Sequence, residues 1–523
     1  MIFLLLFLAF FTVVCFSNIL LDWFEAILSI EFLPLGGGIW GLNAVLDEIS
    51  LGILLMLAIC FSYVYFYTGH YFGYSKEGKE LNKMICLFVS VMALLVCTGD
   101  FLLSLVFWEY LGVVSFFLIL FYSSYLSLRS SIITLVSSRF GDVCLFLLLC
   151  IGCYTLNDLI LVLFMVFFLI VFSKSASFPF TSWLLEAMRA PTPVSSLVHS
   201  STLVAAGVWF LMRYDFLLLF EDCFIFSIIL LTTIAITGVS CFFFLDLKKI
   251  VALSTCNNIA WCIFYLIFGG VSLSLFQLVS HGVSKCMLFI LVGDVMSGSS
   301  GSQASNCVYS TYLYGNWNVF GLFSIILGLS GAPFIGVFFT KHFLLSEFMG
   351  VSNLGLSLVV LFCVFLSYFY SFRFCSILLN SKSSIVTGVL FTFSSGFIVY
   401  FWLFVNYYIF FTLDEVVLLN SVNSFNLMLF QLFSCFCAWF MYNSLYLSSW
   451  SSSLFGSDNV VELFYKLFFN ILTVVSLALY RWDNYVISFM PSTGNSILNV
   501  YSIGLLNIVV LMVSIILMCY III

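Results

Sequence analysis

LVLFMVFFLIVFSKSASFPF, residues 161–180, holds the two features on which the fold turns. An unbroken apolar run leads into a lysine, Lys174, and Pro179 follows five residues later. Apolar stretches of the same kind occupy residues 1–21, 49–68, 84–99, 102–122 and 223–245. Of the 523 residues, 64% are hydrophobic and only 7% are charged. A soluble domain carries about a quarter charged residues, so most of this surface must face lipid. A spanning helix needs roughly 20 mostly apolar residues, and about 14–16 segments meet that length. Membrane-spanning strands would alternate polar and apolar over about ten residues, whereas these runs are longer and apolar on every face. The expected fold class is therefore all-α, a polytopic membrane protein of about 14–16 transmembrane helices.

Residues 1–21 lack a basic leader and an A-x-A-type cleavage site, and Asp22, Glu25 and Glu31 follow them, so they read as a first span rather than a signal peptide. The expected organisation is N-terminal transmembrane helices over 1–83, a core over 84–415 and C-terminal helices over 416–523. Polar breaks fall at 69–82, 123–130, 154–158, 297–318 and 451–459. Residues 457–495 carry Asp458, Glu462, Lys466, Arg481 and Asp483 among large apolar residues and read as a lateral amphipathic helix lying along the membrane plane. Residues from about 500 to 523 read as a last span. Gly36-Gly37-Gly38 reads as a flexible turn. The 18 cysteines are scattered through apolar runs, and Cys150-x-x-Cys153 alone cannot complete a four-ligand site, so no metal is expected. No phosphate-binding glycine motif follows a strand. The net charge of −7 is thinly spread, which leaves no nucleic-acid footprint.

Each ion buried in a bilayer costs at least about 2.5–3.5 kcal/mol, so the charges this chain keeps are informative. Glu109 lies mid-span in LVFWEYLGVVSFF. Lys174 stands beside the break at Pro179, and Lys341 follows GAPFIGVFFT with Pro333 as a second break. Proline frees carbonyls of the preceding turn, and membrane helices tolerate this where they line a buried or wet cavity. His199 follows Pro191 and Pro193, which suit a helix start, amid the hydroxyls of Ser195, Ser196, Ser200, Ser201 and Thr202. His281 and Lys285, at i and i+4, share one helix face, and Arg139 and Asp142 are spaced to pair. Lys248 and Lys249 open a span beside Asp246. Blander readings stand next to these. Glu109 and Lys174 are each compatible with a structural ion pair, Lys248 and Lys249 with snorkelling to the interface, and Arg139 with Asp142 with helix packing. His281 also suits a hydrogen-bonded core histidine. Taken together, two lysines at breaks, two histidines and a mid-span glutamate fit an ion path. Burial disfavours a charged lysine while a nearby carboxylate restores it, which makes the proton the natural cargo. The chain has too few acidic clusters for a calcium or magnesium cage and no Cys/His set for haem or iron–sulfur binding.

SKSASFPFTSWLLEAMRAPTPVSSLVHSSTLVAAGVWFLMR, residues 173–213, resembles the signature of the antiporter-like subunits of respiratory complex I. WEYLGVVSFFLI, SRFGD, DLKKIVALST, HGVSKCMLF, APFIGVFFTK and YSFR follow the family's order, so the resemblance covers roughly 40–415. It implies an antiporter-like fold with two proline-broken helices. It also implies a proton path through Glu109, Lys174, His199, His281, Lys285 and Lys341, with Glu109 and Lys174 as a coupled pair and Arg139, Asp142, Lys248, Lys249, Gln277 and His342 in support. The implied function is a translocase subunit of NADH:ubiquinone reductase that couples electron transfer to proton pumping across the inner mitochondrial membrane. The implied partners are other membrane-arm subunits, chain 4 in particular, and lipids. This chain itself is expected to bind no cofactor, with NAD, FMN, iron–sulfur clusters and ubiquinone on other subunits. Departures from the pattern are Gln277 where a histidine is usual, His342 where an acid is usual, Leu185 for a proline and Ser138 for an asparagine. Ahead of residue 40 the chain reads as one family helix short. A stand-alone or Mrp-type cation/proton antiporter subunit is the alternative function, and an arm component that no longer pumps is a third.

Overall fold

The structure, a computed structural model, describes residues 26–35, 38–73, 75–153, 160–214, 224–268, 270–311, 317–332, 336–349, 354–384, 421–442, 457–489, 508–513 and 515. Residues 1–21, Pro333 and most of 500–523 lie outside them, as do the expectations placed there. The chain divides into two units, Met1–Ser457 and Asp458–Ile523. The first opens with an antiparallel hairpin, β1 (Ala26–Leu35) and β2 (Gly38–Leu46), in which Ile30 pairs with Leu42 and Phe32 with Trp40. This hairpin departs from the all-helical expectation. Its apolar residues match a spanning helix in composition; Gly36 and Gly37, read as part of a flexible turn, lie outside the described residues.

Helices follow in sequence: α1 (Glu48–Tyr71), α2 (Lys76–Val96), α3 (Phe101–Leu120), α4 (Tyr125–Cys153) and α5 (Ile160–Lys174). Next come the short α6 (Ser182–Ala187) and α7 (Thr192–Leu197), a π turn (Val198–Thr202) and α8 (Leu203–Arg213). The series continues with α9 (Phe224–Phe243), α10 (Leu247–Ile267), α11 (Val271–Gly298), α12 (Trp317–Ser330), α13 (Phe338–Met349), α14 (Leu354–Leu379) and α15 (Ser421–Tyr442). Strands β3 (Tyr309–Thr311) and β4 (Lys382–Ser384) pair in parallel. Among the described residues nine helices are long and apolar enough to cross a membrane, with two shorter apolar ones inside α5 and α12. The chain is a multi-pass helical membrane protein.

Four stretches read as polar breaks, 69–82, 123–130, 297–318 and 451–459, belong partly to helices. Within 69–82, α1 runs on to Tyr71, and α2 starts at Lys76 because Ser75 caps it, accepting from the Gly78 amide at 3.3 Å. Asp47 caps α1 in the same way and also pairs with Arg213, which donates to the carbonyls of Val45 and Val96 at 3.1 and 3.2 Å. The hairpin end is thereby tied to α1, α2 and α8.

The bundle is inverted relative to a soluble protein. The α7–α8 segment, α10 and α11 are buried almost throughout, while α3, α4, α9, α14 and α15 leave apolar faces outward. The buried helices carry the polar side chains: Ser195, Ser196, His199, Ser200, Asn257, Gln277, His281 and Lys285. Polar groups in a membrane protein sit where other helices, not lipid, surround them. The second unit contributes α16 (Ser457–Phe489), one continuous helix of 33 residues, about 50 Å long at 1.5 Å per residue. It covers most of the segment expected to lie laterally.

Candidate functional site

Lys174 ends α5, where the chain unwinds through residues 175–181 around a cis Phe178–Pro179 bond before α6 begins. Side chains meet the carbonyls around the break. Trp183 Nε1 donates to Ser173 O at 3.0 Å, and Ser175 Oγ to Val171 O at 2.7 Å. Cys256 on α10 reaches the Ala176 carbonyl at 3.1 Å. Lys174 itself is fully buried. Its Nζ lies 3.4 Å from Asp142 Oδ1 and 5.1 Å from the centre of the Trp108 ring.

Asp142 therefore faces the lysine directly, and Glu109 does not. Glu109 pairs with Arg139, whose guanidinium also approaches Asp142 Oδ2 at 3.8 Å. Four charges of alternating sign, Glu109, Arg139, Asp142 and Lys174, thus run from α3 through α4 to α5. The outer two are partly exposed, Glu109 at 25% and Arg139 at 43%, while the inner two are buried. The expected direct pairing of Glu109 with Lys174 is not what the structure places there: Glu109 is partly exposed and pairs with Arg139, and Asp142 is the carboxylate that faces the lysine.

Next along the bundle, a cavity of about 10 Å³ touches Ser115, Ser138, Lys174, Trp183 and His199, room for a single water. The π turn places His199 there. One extra residue in the turn shifts the helix face, and Thr202 Oγ1 reaches back to Leu197 O at 3.0 Å. His199 is fully buried, and among the described residues neither ring nitrogen closes a hydrogen bond of normal geometry; the same holds for His281 on α11. Lys285, one turn from His281, donates to Ser254 Oγ on α10. A second small cavity, about 20 Å³, joins Ser254, Asn258, Lys285, Ser330, Tyr370 and Ser371. Ser330 is also the acceptor of Lys341, whose Nζ donates to its carbonyl at 2.6 Å and to Ser367 Oγ at 2.7 Å, 4.1 Å from the centre of the Tyr368 ring. The break beside Lys341 is marked by Gly331 and Gly336, both with positive φ, a conformation that suits glycine.

The supporting residues take distinct places. Gln277 Oε1 accepts from Thr340 Oγ1 at 2.9 Å and so ties α11 to α13 beside Lys341. His342 Nε2 meets Ser424 Oγ of α15 at 3.1 Å. Lys248 is buried and points Nζ at Ala190 O, 3.4 Å away, whereas its neighbour Lys249 is exposed and pairs with Asp246 at 3.1 Å. Snorkelling suits Lys249 alone. Sequence reasoning missed Trp108, Ser254, Ser330, Ser367 and Tyr368. Trp108 stands next to Glu109 and Ser367 shortly before YSFR, but serines in apolar helices are too common to single out. Among the described residues no group of three His, Cys, Asp or Glu side chains gathers to hold a metal ion.

The pattern of the family described as NADH:quinone oxidoreductase/Mrp antiporter matches residues 98–369, more than half of the chain and the stretch that bears every charge from Glu109 to Lys341. The chain belongs to that family. Curated relatives named NADH-ubiquinone oxidoreductase chain 5 include those of Artemia franciscana, 32% identical over 65% of this chain and 64% of that one, and Lumbricus terrestris, 31% over 69% and 64%. The Locusta migratoria chain 5 is 30% identical over 70% of this chain and 67% of its own length. The match thus spans a little under two thirds of the first two relatives. Two solved structures share the fold at 18% identity. The Mrp complex from Dietzia sp. DQ12-45-1b has a TM-score of 0.68 over 97% of this chain and 60% of that chain. An archaeal membrane-bound sulfane sulfur reductase has a TM-score of 0.63 over 76% and 87%.

Proposed function

We propose that this chain is the counterpart of the chain 5 relatives, a proton-translocating subunit in the membrane arm of a mitochondrial complex I. Electron transfer from NADH to ubiquinone, with its FMN and iron–sulfur groups, takes place on other subunits. The observation that carries the reading is the company kept by Lys174, Lys285 and Lys341, three of the four lysines buried among the described residues. Among the described residues Lys174 faces a carboxylate, but Lys285 rests on a serine hydroxyl and Lys341 on a hydroxyl, a carbonyl and a ring. Packing lysines are held by fixed counter-charges. Hydroxyls donate as well as accept; Ser254 and Ser367 donate to the Val251 and Val364 carbonyls at 2.7 and 2.6 Å, and turning either toward its lysine would satisfy the amine without its extra proton. The cavities beside Lys174 and Lys285 each have room for a bridging water.

Coupling runs through the four alternating charges. When Arg139 turns toward Glu109, Asp142 is left to Lys174; when it turns toward Asp142, that support weakens. Glu109 so acts on Lys174 at one remove. Lys174→Met in the assembled complex removes the first carrier and is expected to impair NADH-driven pumping. Full pumping at normal complex abundance would refute the role. A second reading, a cation/proton antiporter subunit, draws on the fold shared with an Mrp complex over 97% of the chain. Co-migration with many respiratory subunits favours the first reading; sodium–proton exchange by the chain alone in liposomes favours the second.

A further inference from the structure

At one end of the bundle α1 and α11 finish while α7 and α10 begin. Between them lies a cavity of about 360 Å³, lined by His70, Tyr71, Thr192, Lys248, Asp294 and Gln303 among others. It is far larger than the cavities of about 10 and 20 Å³ beside Lys174 and Lys285, with room for several waters. We propose that it is the intake at which protons join the buried line, and that His70 and Asp294 are the acceptor pair at its mouth. The inference rests on the proton-translocating reading and extends it to residues outside the Glu109–Lys341 line.

Asp294, near the end of α11, is 4% exposed. Its Oδ1 lies 3.8 Å from His70 Nε2, whose side chain is 37% exposed. A buried carboxylate is costly to keep, and this one stands directly behind a side chain that reaches water. The geometry suits a relay: the half-exposed histidine meets solvent and the carboxylate sits behind it. The other titratable groups facing the pair are Tyr67 and Tyr71 from α1 and Lys248 from α10, while α7 adds the Thr192 hydroxyl. Thr192 opens the inward route. Ser195 donates to the Thr192 carbonyl at 2.9 Å, Ser196 to Pro193 O at 2.7 Å and Ser200 to Ser196 O. Each is turned onto a backbone carbonyl, so water between the hydroxyls would carry the proton along α7 to His199, seven residues on, a rise of about 10 Å.

The test uses the whole complex in proteoliposomes, with NADH-driven acidification compared at equal complex abundance. Asp294→Asn and His70→Gln are each expected to slow initial pumping roughly a hundredfold, the low end of what a positioned proton acceptor contributes, and Asp294→Glu to recover most of it. Ser297→Cys at the cavity rim, treated with a bulky membrane-impermeant thiol reagent, is expected to lose pumping relative to its own untreated form and to treated wild type. The reagent should act from one membrane side only. This arm decides the matter if Asp294→Asn does not assemble. Undiminished pumping by both acceptor variants, or by treated Ser297→Cys, overturns the intake. If Lys174→Met also pumps fully, the proton-translocating reading itself falls; if Lys174→Met is silent, the intake alone does.

Discussion

The residue that does most to organise the charged site is Asp142. It is 2% exposed and faces a fully buried ammonium. Removing one partner of a buried ion pair costs about 3–5 kcal/mol, because the remaining charge is stranded. Asp142→Asn is therefore expected to lower the thermal midpoint of the detergent-solubilised complex and the amount that assembles. Glu109→Gln should do so much less, since Glu109 is partly exposed and Arg139 keeps Asp142 at 3.8 Å. Pumping and thermal midpoint measured on both variants separate the roles: Glu109→Gln should weaken pumping out of proportion to its small stability loss. Equal destabilisation by the two would contradict the order of charges from α3 to α5.

At the scale of the element, the broken helix depends on a close neighbour. A Cβ on Gly207 of α8 would stand 3.0 Å from Val171 O and 3.2 Å from Ser175 N, both backbone atoms at the start of the break. Neither can step aside, so Gly207→Val is expected to cost about 1–3 kcal/mol as overpacking, read as a lower thermal midpoint. Gly112 of α3 meets nothing closer than Ser138 Oγ at 3.7 Å, and Gly112→Ala, with a gain in helix propensity of up to about 1 kcal/mol, should leave the midpoint unchanged or raised. The break itself was legible in the sequence because a proline and a lysine so close together in an apolar run each disfavour a continuous helix in lipid. The π turn at His199 was not, since no residue type marks an extra residue in a helical turn. The hairpin at Ala26–Leu46 escaped for a related reason: in an apolar segment, strand and helix differ in periodicity, and little polarity is left to reveal it. Residues 69–82 read as a polar break, but the helix that starts within them is capped by Ser75 and carries the Glu80–Lys83 pair at 2.8 Å. Within the site, the lysines and histidines stood out by their cost in lipid, whereas their partners are set by which helices touch. Nothing in the spacing of Glu109 and Lys174 says that Arg139 and Asp142 stand between them.

For the whole molecule, the informative surface is the outer side of α3 and α4. Val106, Tyr110, Val113 and Phe117 line one helix, and Ile132, Val136, Phe140, Val143 and Leu147 the other, all exposed. Arg139 lies within this apolar stripe with its side chain 43% exposed, paired to Glu109. Lipid gives a guanidinium no further partner, and its five N–H donors outnumber the oxygens of two carboxylates within reach. The outward face of α15 differs: Phe425, Leu429, Leu432, Phe433, Phe436 and Trp439 are exposed, and the helix carries no charged residue. Lipid alone suits that surface. The α3–α4 face should therefore be covered by a neighbouring membrane-arm subunit that brings a polar group to Arg139. A photoreactive side chain placed at Val136 is expected to capture a protein of the arm, and the same group at Phe436 to capture lipid. Capture of lipid alone at Val136, in an intact complex, would leave Arg139 facing hydrocarbon and would refute the assignment of this face. A protein captured at both positions would place the chain inside the arm, with a neighbour on each side.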